Sequence, residues 1–120
     1  KLWFVLRSYG AEELRNFLAA HIALAGEFAG WVEEADDWEV IAPVPLNTVC
    51  FRWKPAGLDE AAAAEANRAL MEKVNAEGTI YLTHTVLGGT YCLRLAVGQR
   101  ATKREHVEMA WRVLREAAAQ

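Results

Sequence analysis

From Ala11 to about Ala35 the residues Leu14, Phe17, Leu18, Ala25, Phe28 and Val32 recur at spacings of three, four and seven, one apolar stripe along a long helix. Residues 2–9 ahead of it suffice for a short helix, which Gly10 would end by supplying a positive φ. Beyond Asp36 and Asp37 the period changes from helical to alternating. Trp38, Val40 and Ala42 predict a strand over 38–42, confined to a sheet edge or end by Pro43 and Pro45. A second strand, Thr48 to Lys54, sets Val49, Phe51 and Trp53 on one face and Cys50 and Arg52 on the other.

Pro55 and Gly57 close that strand, and Asp59 is placed to cap a helix. This helix carries Ala63, Ala66, Leu70 and Val74 on one stripe and stops at Gly78. Two further strands, 80–87 and 90–97, are separated only by Gly88 and Gly89, the two-residue loop of a tight hairpin. That loop sets Leu87 opposite Thr90, Thr83 opposite Arg94 and His84 opposite Leu93. Ile80, Leu82, His84, Val86, Tyr91, Leu93, Leu95 and Val97 then form a core face, with Tyr81, Thr83, Thr85, Cys92, Arg94 and Ala96 behind it. Thr102 and Glu105 form a capping box for a last helix carrying Val107, Ala110, Trp111 and Leu114. The order ααββαββα predicts an α+β fold, a small, mostly antiparallel sheet with helices on one face.

At 120 residues the chain is the size of one domain, and with 53% hydrophobic and 24% charged residues it has a globular composition. No apolar run approaches the roughly 18 residues of a membrane span, so no membrane partner is expected. Thirteen basic against sixteen acidic residues leave a net charge of −3, the wrong sign for binding a phosphate backbone, so no nucleic-acid partner is expected. The excess is mild and lies in the first half, with five basic and ten acidic residues up to position 60. The acidic stretch Glu27, Glu33, Glu34, Asp36, Asp37 and Glu39 reads as a solvated helix end and turn, and no metal is assigned to it. Cys50 and Cys92, without a signal peptide, read as reduced thiols in a cytoplasmic protein. The chain opens on Lys1 and an apolar run without any leader, as expected of a piece of a longer polypeptide.

Candidate chemistry is sparse. His21, His84 and His106 lack the close ligand spacing of a zinc site; His84 reads as a core histidine bonded to backbone and His106 as solvated in the last helix. Gly88 and Gly89 precede a strand and so cannot aim helix N-terminal donors at a phosphate. Neither Ser8 nor the two thiols stands in the setting of a nucleophile. Arg94, in mid-strand between Leu93 and Leu95, is the residue to single out: it either fastens the sheet to a carboxylate or backbone, or helps to shape an active site.

Six strings, KLWFVLRSYG at 1–10, IALAGEF at 22–28, PVPLNTVCFRWK at 43–54, LTHTVL at 82–87, YCLRLAVG at 91–98 and HVEMAWRVL at 106–114, closely resemble the C-terminal part of aromatic L-amino-acid decarboxylases that depend on pyridoxal phosphate, in the group II decarboxylase family. The resemblance implies a fold-type I homodimer in which a large upstream domain binds pyridoxal 5'-phosphate and a small α+β domain packs beside it. Residues 1–10 would be the helix continuing from that upstream domain and 11–120 the small domain. It also implies that the aromatic amino-acid substrate meets residues outside this chain: the family's cofactor lysine in its Asp-Ala-His-Lys-type motif, its pyridine-pairing aspartate and its ring-stacking histidine have no counterpart here, and Lys1, Lys54, Lys73 and Lys103 stand in other contexts. The chain alone is therefore expected to be inactive, with no catalytic or cofactor-binding residue of its own. Arg94 matches the family's arginine strand, with Thr83 and Thr85 as weaker supports of the active site. The rival expectation is a free-standing interaction or small-ligand module that kept the fold without the catalysis.

Overall fold

A computed structural model of the chain describes residues 10–42, 47–97 and 103–119. The opening helix expected over 2–9 lies outside them. The described elements are helix α1 (Ala11–Glu34), strands β1 (Trp38–Val40) and β2 (Thr48–Trp53), helix α2 (Glu60–Glu77), strands β3 (Thr83–Leu87) and β4 (Thr90–Ala96), and helix α3 (Arg104–Ala119). The strands form one antiparallel sheet in the order β1-β2-β4-β3, so the long connection through α2 carries the chain past β2 and the last hairpin folds back against it. The fold is α+β, with helices and sheet in the expected order over the described residues.

Helices α1 and α2 lie on the sheet and α3 packs against both. The core between the layers is aromatic at its centre. Phe28 of α1 meets Phe51 of β2 edge to face at 5.1 Å, and Trp111 of α3 closes on Phe28 and Trp38 at 5.8 and 5.1 Å. Such edge-to-face pairs add about 0.5–1.5 kcal/mol to burial itself. The apolar stripe of α1 reaches the core only from His21 onwards; Leu18, expected inside, is 48% exposed because the first turns of the helix run out beyond the sheet.

Helix α2 begins as expected, with the Asp59 side chain accepting from the Ala62 N–H at 2.7 Å, and ends at Gly78 with φ 85°. Its buried stripe is Ala63, Asn67, Leu70 and Val74: Asn67, rather than Ala66, is enclosed. The Asn67 amide accepts from the Trp53 N–H at 2.8 Å and donates to the carbonyls of Trp53 and Ala63, both at 2.7 Å. Two turns further on, Asn75 accepts from the Leu82 N–H at 2.7 Å and donates to the Leu82 carbonyl at 2.9 Å. Each amide thus does for one strand residue what a neighbouring strand would do. β3 itself begins at Thr83 rather than at 80.

The hairpin register is as expected, with Leu87 opposite Thr90 and Thr83 opposite Arg94, and both loop glycines have positive φ, 56° and 83°. Its faces need one correction. Leu82, Tyr91, Leu93, Leu95 and Val97 are buried, but His84 and Val86 are exposed, because β3 is an edge strand and the helices cover its neighbour β4 instead. The last helix begins at Arg104, and the His106 Nδ1 accepts from the Lys103 N–H at 2.9 Å; the capping box expected of Thr102 and Glu105 lies outside the described residues. Of the acidic stretch, Glu27 is paired with Arg104 and Glu39 with Arg52, while Glu33, Glu34, Asp36 and Asp37 remain on the exposed helix end and turn.

Candidate functional site

The face of the sheet turned away from the helices gathers the polar strand residues. Alternation along β2, β3 and β4 puts Cys50, Arg52, Thr83, Thr85, Cys92 and Arg94 there. Arg94 stands opposite Cys50 on one side and Thr83 on the other, while Thr85 is opposite Cys92. The three singled-out residues therefore share one patch of two neighbouring strands. Arg94 and Thr83 are exposed and Thr85 half-buried.

The role of fastening the sheet falls to a different arginine. Arg52 is 7% exposed, its Nε bonded to Glu39 on β1 and its terminal nitrogens reaching Glu60, at the first turn of α2, at 2.7 and 3.3 Å. Lys54 meets the same Glu60 at 2.9 Å. Between them Arg52, first, and Lys54 hold the Glu60 carboxyl down to about 2. Burial, with a smaller contribution from the neighbouring Cys50, pushes the Cys92 thiol up to about 11, which keeps it protonated and unreactive near neutral pH.

The three histidines have three separate fates. His84, expected to be enclosed and bonded to backbone, is exposed and stacks on Tyr91 with centroids 5.1 Å apart and rings 18° from parallel, while the Arg68 guanidinium lies 5.4 Å over the same ring. His21 is 3% exposed and edge-on to Phe17 at 4.1 Å. His106 serves as a helix cap. Among the described residues no three His, Cys, Asp or Glu side chains are grouped to hold a metal ion, and no helix is long and apolar enough to cross a membrane.

What this face offers is the exposed guanidinium of Arg94 between a thiol and a threonine hydroxyl, Arg52 being taken up by Glu39 and Glu60. Such a guanidinium can bind and orient a carboxylate or a row of carbonyls, but being permanently charged it is itself neither an acid nor a base near neutrality. Arg52, Asn67 and Asn75 were not singled out from the sequence. A signal for Asn67 was present, since an asparagine three and four residues from Leu70 and Ala63 stands on the apolar stripe, and a polar group buried there must be bonded.

The family described as "Pyridoxal-dependent decarboxylase conserved domain" matches residues 1–54. Tyrosine decarboxylase 4 of Petroselinum crispum is 48% identical over 98% of the chain and 24% of its own length. Among solved structures, TDC of Oryza sativa with PLP and tryptamine superposes with a TM-score of 0.91 at 38% identity, covering 98% of this chain and 26% of that one. The 4-hydroxyphenylacetaldehyde synthase of Rhodiola rosea follows with a TM-score of 0.88 at 30% identity, over 98% of this chain and 25% of that one. The chain belongs to the pyridoxal-dependent decarboxylase family. It spans about a quarter of the length of the relatives it matches.

The described residues do not themselves fit the family's cofactor. Lys54 is committed to Glu60, Lys73 to the Ala117 carbonyl at 3.2 Å, and Lys103 is exposed at the start of α3. None of these lysines is buried beside a histidine and a carboxylate, as an amine held ready for a carbonyl would be. No step of the reaction is assigned to these residues.

Proposed function

We propose that the chain is the small-domain portion of a decarboxylase acting on aromatic L-amino acids with pyridoxal 5'-phosphate, and that it acts as a scaffold while residues outside it hold the cofactor. The observation carrying this reading is the near end-to-end match, at 38–48% identity, to a tyrosine decarboxylase and to a TDC structure holding PLP and tryptamine. That one relative is an aldehyde synthase at 30% identity leaves the outcome after the substrate binds to residues elsewhere.

In this reading residues 1–10 join the small domain, 11–120, to a large cofactor-binding domain, and the whole enzyme is a cytoplasmic homodimer. Arg94 is then a positioning residue: exposed on the sheet face turned away from the helices, between Cys50 and Thr83, it is available to acceptors on residues outside this chain. Thr83 and Thr85 support it. Neither nucleic acid nor membrane enters the reading.

The test joins this chain to a polypeptide spanning the rest of a relative such as the Petroselinum enzyme. With pyridoxal 5'-phosphate and L-tyrosine or L-tryptophan, the assembled pair is expected to release carbon dioxide and show cofactor absorbance, and the chain alone to do neither. A stable assembly that binds the cofactor yet releases no carbon dioxide from any aromatic amino acid overturns the reading, as does turnover by the chain alone.

A further inference from the structure

In the helical layer, on the other side of the sheet from Arg94, the end of α1 and the middle of α3 form a groove of about 400 Å³ lined by Trp31, Glu34, Ala35, Glu108, Trp111 and Arg115. That is the size of a small-ligand site. Its walls are two half-buried indoles, one from each helix. Trp111 is held from behind by Phe28 and Trp38 at 5.8 and 5.1 Å, so this wall is in place before any ligand arrives. Both rings already serve as seats for cations: Arg104 lies 5.9 Å from the centre of Trp31, and Arg115 lies 5.7 Å from the centre of Trp111.

Charge at one end of the groove selects what can enter. α1 ends there with the negative end of its dipole, and its last turn carries no basic residue. Glu33 and Glu34 stand on that turn and Asp36 and Asp37 follow it, all four exposed and outside any ion pair among the described residues. Arg104 is neutralised by Glu27 and Glu108, which leaves Arg115 as the one lining cation without a carboxylate partner among the described residues. Arg115 is exposed and its long side chain can turn aside from Trp111. Carboxylates are therefore in excess, and a positive group placed at Glu34 is attracted by the helix end and its acidic neighbours together, whereas a negative one is repelled.

We propose that this groove binds a protonated aromatic amine, its ring against Trp31 and Trp111 and its ammonium at Glu34 beside the end of α1. Each half of such a molecule answers one feature of the groove. An aliphatic amine leaves the indoles unused, and an aromatic amino acid brings a carboxylate into the same acidic field. An alkylammonium, like that of lysine, keeps its charge at neutral pH. For a ligand of about ten heavy atoms in an open groove, a dissociation constant of about 1–10 mM is expected. On the reading proposed above, this is the class of molecule that decarboxylation yields, so the groove holds product away from the residues that form it. The groove itself is built by α1 and α3 alone and does not depend on that reading.

The test is a titration of the isotope-labelled 120-residue chain with phenethylamine, followed by the indole N–H resonances. Saturable shifts are expected at Trp31 and Trp111 but not at Trp53. Butylamine, which lacks the ring, and L-phenylalanine, which adds the carboxylate, are each expected to bind at least about fivefold more weakly. Glu34→Lys is expected to weaken phenethylamine binding by about fivefold or more, and Glu12→Lys, the same change of charge at the far end of α1, by less than about twofold. Both positions are exposed, and circular dichroism and melting check that the variants fold. Absence of saturation below about 50 mM overturns the proposal. So does butylamine or L-phenylalanine binding as tightly as phenethylamine, or an affinity that the two lysine variants leave unaltered or lower alike. No catalysis enters the measurement, so its failure leaves the decarboxylase reading standing, and failure of that reading leaves the groove.

Discussion

Arg52 and Arg94 occupy equivalent places. They lie on adjacent strands and the same face of the sheet, Arg94 opposite Cys50 and Arg52 opposite Glu39. One is 7% exposed and the other lies in the open. The difference comes from what the neighbouring elements bring: β1 supplies Glu39 and the first turn of α2 supplies Glu60, whereas beside Arg94 the strands offer a thiol and a threonine. A guanidinium can be covered only where acceptors surround it. The covered arginine belongs to this domain's own architecture, and the open one faces outward.

The largest effect should come at the join that makes this difference possible, the docking of α2 on β2. Asn67→Ala removes three hydrogen bonds from a fully buried site and strands the Trp53 N–H and C=O. Denaturant unfolding is expected to show a loss of about 3 kcal/mol. If the loss is under about 1 kcal/mol, the amide is not what ties the helix to the strand.

Next comes Arg52 itself. Arg52→Ala leaves Glu39 facing Glu60 without the cation between them, and a loss of about 2 kcal/mol is expected in the same measurement, smaller than for Asn67 because both carboxylates can turn to water. Arg52→Lys should recover only part of it, since an ammonium cannot serve two carboxylates in two directions as a planar fork does.

How far this was legible in the sequence depends on the range of the interaction. The helical stripes of Phe28 and Val32, of Leu70 and Val74, and the Gly88–Gly89 turn are local patterns, and each gave its element or register. The strand order was not legible: nothing in residues 48–53 states that their neighbour will be Thr90–Ala96, because that pairing is settled only when the helices have covered one face. The same range separates the two arginines. The acceptors of Arg52 lie thirteen positions before and eight after it in the sequence, and only the sheet register and the docking of α2 bring them together. His84 was misplaced for a related reason, since alternation assigns a side of the strand but not the point at which the covering layer stops.

The acid limb of stability offers a finer test of the Arg52 cluster. Glu60 has its folded pKa lowered from 4.5 to about 2, so its contribution is fully present above 4.5 and is lost as pH falls through about 2. Melting between pH 5 and 2 is expected to show this loss in the wild-type chain and a shallower one in Arg52→Gln, where the first cause of the lowering is gone. Because Glu60 sits in solvent, the change is small and shrinks further in high salt. Identical slopes for the two proteins would disconnect Glu60 from Arg52.

The smallest effect, and the one that closes the comparison, is at Arg94. In the 120-residue chain Arg94→Ala is expected to move stability by no more than about 0.5 kcal/mol, as for a surface strand residue with no described partner, against the much larger loss at Arg52. In the assembled enzyme, where the proposed scaffold role applies, the same substitution should lower the affinity between this domain and the rest, with Arg94→Lys restoring part of it. If Arg94→Ala destabilises the isolated chain as strongly as Arg52→Ala does, the two arginines are structural equals and the outward-facing role assigned to position 94 is wrong.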